Sequence, residues 1–251
     1  MKNNSKNKIA KWLIAFLILL ALAGLGITIH HHNSSRQVKV EKKWRLKKTK
    51  SFTDKDKWGY PFKKCYMKKI KYKSGQKYGK TDVLRRYYPS KSYFHDGWDF
   101  GWGEVGKSAK VLAVHYGTVK KVDYCYGLGW FIWVVSDDGY VEIYQEGFNF
   151  KSDIFVKKGQ KIKLGQTIGK MTGTHLHLGI TKTSSDYITK KGYPYKWYWK
   201  DNGTWLNPMT IIQDSFKKEQ EVKDYNKKVL AYNKKAREHN HKIDKKLSKN
   251  K

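Results

Sequence analysis

Hydrophobic and polar positions divide this 251-residue chain into four stretches. The first, residues 1–30, holds an uncharged run from Trp12 to Ile29, rich in Leu, Ile and Ala. Lys2, Lys6, Lys8 and Lys11 precede it. A basic flank before roughly eighteen apolar residues is the pattern of a membrane helix. The same stretch reads as a secretory signal, with Ala21-Leu22-Ala23 before Gly24 as a small-residue cleavage site. The apolar run continues past Ala23 to Ile29, which favours a retained anchor. The expectation is a single-pass chain with its amino terminus inside and the rest extracellular. The alternative is secretion after cleavage near Ala23.

The second stretch, residues 31–80, has no apolar period. His30-His31-His32 lead into Lys-rich sequence, with Lys42-Lys43, Lys47-Lys48, Lys63-Lys64 and Lys68-Lys69. The histidines read as a flexible run, with metal chelation as the alternative. The early part reads as a spacer. Trp58 to Tyr72 is expected to add strands to the sheet that follows.

Residues 81–212 carry strand signals. Val111–Val114, Trp130–Val135, Tyr140–Tyr144 and Leu176–Ile180 are short β-branched or aromatic runs. Gly117, Gly127, Gly129, Gly139, Gly159 and Gly165 punctuate them. Such runs with tight turns predict antiparallel all-β structure. From Gly192 to Trp205 aromatic residues are dense, reading either as a groove lining or as a loop packed on the sheet. In residues 213–251 the period changes. Val222, Tyr225, Val229, Tyr232, Ala236 and Ile243 recur at steps that place a narrow apolar seam on a helix, which His239 interrupts. Tyr225-Asn226-Lys227-Lys228-Val229 returns as Tyr232-Asn233-Lys234-Lys235-Ala236. A coiled coil and a solvated or docked helix both fit. The expected fold class is therefore an all-β antiparallel core, preceded by one transmembrane or signal helix and followed by a charged carboxyl-terminal helix.

Charge adds a partner class. Lys and Arg number 53 against 21 Asp and Glu, a formal net charge of +32. Such a field attracts polyanions. No nucleic-acid motif accompanies it, and nucleic acid is not expected outside the cytoplasm. Teichoic acids and anionic lipids are the expected partners there. Cys65 and Cys125 are the only cysteines, and outside the cytoplasm they can pair.

The candidate chemistry lies in two segments. Phe94-His95-Asp96-Gly97-Trp98-Asp99-Phe100-Gly101 offers a histidine and a carboxylate four residues apart. Thr172-Gly173-Thr174-His175-Leu176-His177-Leu178-Gly179 offers two histidines one residue apart. On a strand, Leu176, Leu178 and Ile180 share the core face, and His175, His177 and Gly179 share the other. Imidazole nitrogen and carboxylate oxygen together suit a cation such as zinc.

These segments, in this order, resemble the M23 peptidases, the lysostaphin and LytM type of zinc endopeptidase. The resemblance runs from about Tyr88 to Pro208. Its other carriers are Val111–Val119, similar to a hairpin of the family, and Val156-Lys157-Lys158-Gly159-Gln160 with Gly165-Gln166-Thr167-Ile168-Gly169, similar to a glycine-rich strand pair. Leu206-Asn207-Pro208 resembles the usual end of the domain. The resemblance implies an M23-type core in which His95, Asp99 and His177 bind Zn2+. It implies that His175 acts beside the metal on the water or the oxyanion. It further implies hydrolysis of a peptide bond in peptidoglycan, in a stem or cross-bridge. The family carries a second active-site histidine in a Tyr-x-His segment, and here Glu146 stands in its place, in Tyr144-Gln145-Glu146. Glu146 can act as a general base on water. Its charge also opposes that of a tetrahedral intermediate, and losing one oxyanion donor costs on the order of a hundred- to a thousand-fold in rate. The alternative function is a catalytically degenerate module that binds cell wall or regulates a wall-remodelling or division complex.

Overall fold

The computed structural model describes residues 41–67, 69–87, 90–182 and 200–249. The apolar run Trp12–Ile29, the three consecutive histidines and the aromatic segment up to Trp199 lie outside them. Among the described residues no helix is long and apolar enough to cross a membrane. The described chain divides into two units. One is Lys50–Tyr225, and the other joins residues 41–49 to residues 226–249.

The larger unit is antiparallel β structure. A hairpin of β1 (Gly79–Tyr87) and β2 (Ser90–His95) leads into β3 (Gly97–Gly101). A seven-stranded sheet contains β3, β5 (Gly117–Cys125), β6 (Gly129–Val135), β7 (Val141–Phe148), β8 (Lys161–Ile162), β10 (His175–Thr181) and β11 (Trp205–Leu206). β10 runs through its centre, with β7 along one edge and β3 followed by β11 along the other. β4 (Lys110–Leu112) and β9 (Thr167–Lys170) form a separate two-stranded sheet. The expected hairpin across Val111–Val119 is therefore parted: β4 pairs with β9, while β5 pairs with β6 and β8.

Period-two patterning accounts for the burial. Leu176, Leu178 and Ile180 of β10 enter the main core with Ile132, Val134 and Tyr144. Phe131, Trp133, Val141 and Ile143, on the opposite faces of β6 and β7, pack with Trp205 and Phe94 in a second cluster. The sheet is thus buried on both sides, which explains why β6 reads as a continuous apolar run.

Among the described residues of Trp58–Tyr72 the expected strands are absent, and the one regular element is the one-turn helix α1 (Lys64–Met67). Trp58 stacks on His115 at 4.0 Å, and Tyr72 meets Trp98 and Phe100 edge-on. No disulfide joins Cys65 and Cys125. Burial pushes the Cys65 thiol up to about 11, so it stays neutral.

A short helix α2 (Trp102–Val105) follows β3, and a 42-residue helix α3 (Pro208–Lys249) closes the chain. Its start is legible in the residues. The Asn207 side-chain oxygen accepts from the Met209 and Thr210 amides, and proline takes the first helical position.

In the smaller unit, residues 41–49 are held on α3 rather than forming a free spacer. Asn233 accepts from the Lys47 N–H at 2.8 Å and donates to the Lys47 carbonyl at 2.8 Å. Asn240 treats Trp44 in the same way, at 2.6 and 2.9 Å. Seven helical residues rise about 10.5 Å. Three extended residues span about 10 Å. The two spacings match, so both rungs form without distortion. Val229, Ala236 and Ile243, also seven apart, are buried in this unit. His239 does not interrupt the seam. It repeats the role of Tyr232, and the Trp44 ring lies against both.

Candidate metal centre

The strand registers bring the histidines and carboxylates together. In the β3–β10 ladder, His177 pairs directly with Asp99. His95 ends β2, immediately before the turn into β3. Its Nδ1 donates to the Lys77 carbonyl at 2.8 Å, which leaves Nε2 to face inward as an acceptor. Three atoms then form a nearly equilateral triangle. His95 Nε2 lies 3.1 Å from His177 Nδ1, His177 Nδ1 lies 3.1 Å from Asp99 Oδ1, and His95 Nε2 lies 3.2 Å from Asp99 Oδ1. Ligands about 2.0–2.2 Å from one tetrahedral zinc ion stand roughly this far apart.

Gly97 makes this approach possible, because a Cβ there would collide with the His177 ring and the Leu178 carbonyl. Asp96 takes the other side of that ring, with Oδ1 3.6 Å from His177 Nε2. Two overlapping ligand groups result: His95, Asp96 and His177, and Asp99, Glu146 and His177. The shorter distances select Asp99 rather than Asp96 as the carboxylate of the triangle. Asp96 faces the nitrogen that points away from the triangle, at a distance too long for a hydrogen bond, and acts on the ring through its charge.

Charge in the cluster is mutually adjusted. Burial alone would raise the Asp99 carboxyl, but the His177 and His95 hydrogen bonds outweigh it and hold the group well below the usual carboxylate range. Burial works to lower His177, but the Asp99 bond and the nearby Asp96 charge push it up to about 9. The buried Asp96 carboxyl is raised by desolvation. A histidine stabilised as a cation among three carboxylates marks a place where positive charge is favoured. The donor set suits a divalent ion.

Glu146 reaches the same space through a bulge. Between the pairs Trp130–Phe148 and Ile132–Tyr144, β6 has one residue and β7 has three. Glu146 sits in that excess with φ +64°, a left-handed conformation that a non-glycine residue adopts at a cost of about 1–2 kcal/mol. Its amide donates to the Leu128 carbonyl at 3.0 Å. Gly173 clears the way, since a Cβ there would strike the Glu146 carbonyl. The bulge aims the side chain at the metal centre, where Oε2 lies 2.7 Å from His175 Nε2. That hydrogen bond is the main cause of the raised His175 pKa. The other ring nitrogen of His175 lies 3.1 Å from Thr174 Oγ1.

All five residues singled out in the sequence thus meet at one place: His95, Asp99 and His177 in the triangle, His175 and Glu146 as a hydrogen-bonded pair beside it. Sequence reasoning missed three supports. Asp96 lies inside the first motif, and its adjacency to His95 was the available signal. The Lys77 carbonyl and Arg85, whose Nη2 lies 3.9 Å from Asp99 Oδ2, carry none, because backbone atoms and single arginines have no pattern.

The model of peptidase family M23 matches residues 93–189. CbpA from L. salivarius REN is 36% identical, over 64% of this chain and 97% of that one, with a TM-score of 0.54. The catalytic domain of lysostaphin from Staphylococcus simulans is 25% identical over 57% and 92% of the two chains, with a TM-score of 0.40. A chain of the SpoIIQ–SpoIIIAH pore-forming complex is 22% identical over 63% and 92%, with a TM-score of 0.43. With the family match spanning both ligand segments and a relative aligned over nearly its whole length, this chain belongs to peptidase family M23.

Proposed function

We propose that this protein is a zinc-dependent endopeptidase that hydrolyses a peptide bond in peptidoglycan, acting outside the cytoplasm. The observation that carries the reading is the triangle of His95 Nε2, Asp99 Oδ1 and His177 Nδ1, with the His175–Glu146 pair at its side. In this reading His95, Asp99 and His177 hold the ion. When bound, zinc lowers the pKa of a water and polarises the substrate carbonyl.

The remaining work falls to the pair. Glu146 accepts a proton at a carboxylate oxygen, and His175 holds one at Nε2, shared across their 2.7 Å contact. Glu146 then passes its proton to the leaving amine, while His175 keeps its own and stabilises the reacting oxygen through its positive charge. Glu146 thereby serves as base where the family's second histidine is expected. Lys-rich surfaces suit adhesion to teichoic acids or anionic lipids, and the segment Trp12–Ile29 suits a membrane anchor.

The test is digestion of purified peptidoglycan with added zinc, with mass spectrometry of released muropeptides. Glu146→Gln should slow release by on the order of a hundred- to ten-thousand-fold. A second reading is favoured by the carboxylate at residue 146. Facing Asp99 and His177, Glu146 is placed to close the open position as a further ligand, giving a degenerate module that binds wall without cutting it. Sacculus binding without muropeptide release, unchanged by Glu146→Gln, would select this reading.

A further inference from the structure

We propose that Arg85 is a positioning residue for the metal centre, whose guanidinium takes the outer oxygen of Asp99 and leaves Oδ1 alone to face the ion. This inference rests on the metal-binding reading above. It starts from an irregularity in the β1–β2 hairpin. Lys80 pairs with Phe94 and Arg85 with Ser92, so four residues of β1 stand opposite one residue of β2. A bulge bends its strand and re-aims a side chain, and bulges gather beside active sites.

This bulge is filled and braced from within. Thr81 is buried, and its hydroxyl bonds the Tyr93 carbonyl at 3.1 Å and lies 3.3 Å from both the amide and the carbonyl of Val83. Val83 packs against the turn at Ser74–Gln76, so closely that a Cβ on Gly75 would overlap its side chain. The product of the bulge is a fixed guanidinium. Arg85 Nη1 donates to Thr81 Oγ1 at 2.8 Å, and Nη2 donates to the Gly75 carbonyl.

Nη2 is also 3.9 Å from Asp99 Oδ2, with both side chains largely buried, at 17% and 15% exposure. Oδ1 of the same carboxylate points into the triangle. The two oxygens of Asp99 therefore have different surroundings, a cation on one side and the ligand nitrogens on the other. At 3.9 Å the guanidinium makes an ion pair with Oδ2 without a hydrogen bond, so, held by Thr81 and Gly75, it biases the carboxylate's rotation through its charge. The same turn ends at Lys77, whose carbonyl fixes His95. One short segment, residues 74–77, thus supports two of the three ligand side chains, one through its backbone and one through Arg85.

The experiment measures zinc affinity by chelator competition, and the visible spectrum of the Co2+-substituted protein, for the full chain and its Arg85→Met, Arg85→Lys and Thr81→Val variants. Outer partners of metal ligands typically contribute about 10- to 100-fold in affinity. Arg85→Met should lose affinity in that range and change the Co2+ spectrum, as Asp99 turns to offer both oxygens. Arg85→Lys should recover part of the loss. Thr81→Val keeps the arginine, removes one anchor, and should show a smaller loss in the same direction even if Arg85→Met fails to fold. Affinities within twofold of the parent in Thr81→Val and every folded Arg85 variant, with an unchanged Co2+ spectrum, would overturn the role of Arg85 and leave the peptidase reading intact. A parent chain that binds no zinc would overturn both.

Discussion

The candidate metal centre and the ladder on α3 both join stretches far apart in sequence, and they do so by opposite means. At the metal centre, side chains meet side chains. His177 pairs with Asp99 across a ladder, and two bulges swing Glu146 and Arg85 into the same space. Any change of residue type there changes the chemistry. On α3, side chains meet backbone. Asn233 and Asn240 each pair with the amide and the carbonyl of one residue of the 41–49 segment, so the identity of that residue matters little. The first region needs ångström placement of a few groups. The second needs only two matched spacings.

The contrast breaks most visibly at the ligands. Asp99→Ala or His177→Ala should reduce bound zinc from near stoichiometric to near zero, measured by elemental analysis on folded protein. Gly97→Ala should do nearly the same without removing a ligand, because its new methyl group displaces the His177 ring. If Gly97→Ala keeps full metal content, the close approach at Gly97 is not what sets the triangle.

On α3 the expected losses are smaller and more local. Asn233→Ala should destabilise the smaller unit by about 0.5–1.5 kcal/mol for each hydrogen bond lost, since it removes both bonds to the part-buried backbone groups of Lys47. Hydrogen exchange at the Lys47 amide is the readout. Asn233→Asp keeps the acceptor and loses the donor, so it should retain more of that protection. Replacing Lys47 itself should have little effect on it, apart from the contact of its ammonium with the Tyr232 ring.

The last effect expected is one of pH. Glu142 of β7 is fully buried, and among the described residues neither carboxyl oxygen has a hydrogen-bond partner. Desolvation raises its pKa well above the ordinary carboxylate range. The folded protein therefore holds this proton where the unfolded chain releases it. Stability from this group is full below the unfolded pKa and declines as pH rises towards the folded one. Glu142→Gln should raise the melting temperature at pH 8 and leave it almost unchanged near pH 4. A parallel shift at both values would remove ionisation as the cause.

Much of this was legible in the sequence, for a physical reason. The His175-Leu176-His177 strand announces its faces by alternation, and the structure places Leu176 and Leu178 in the core as that pattern requires. The seven-residue repeat in the tail announced the helix. What it binds did not show, because a ladder that reads backbone leaves no sequence mark on residues 41–49. Bulges were equally hidden. Glu146 was found only through its place in a family pattern, and nothing local marked its left-handed backbone. The Trp58–Tyr72 segment misled because its aromatic residues look like strand residues, whereas Trp58 packs on His115 and Tyr72 on Trp98 from irregular backbone.

The most direct measurement is the zinc content of the parent chain beside His175→Ala and His177→Ala, each checked for folding by circular dichroism. The account predicts close to one zinc per chain in the parent and in His175→Ala, and almost none in His177→Ala. Equal zinc in all three, or loss from His175→Ala with retention in His177→Ala, would contradict it.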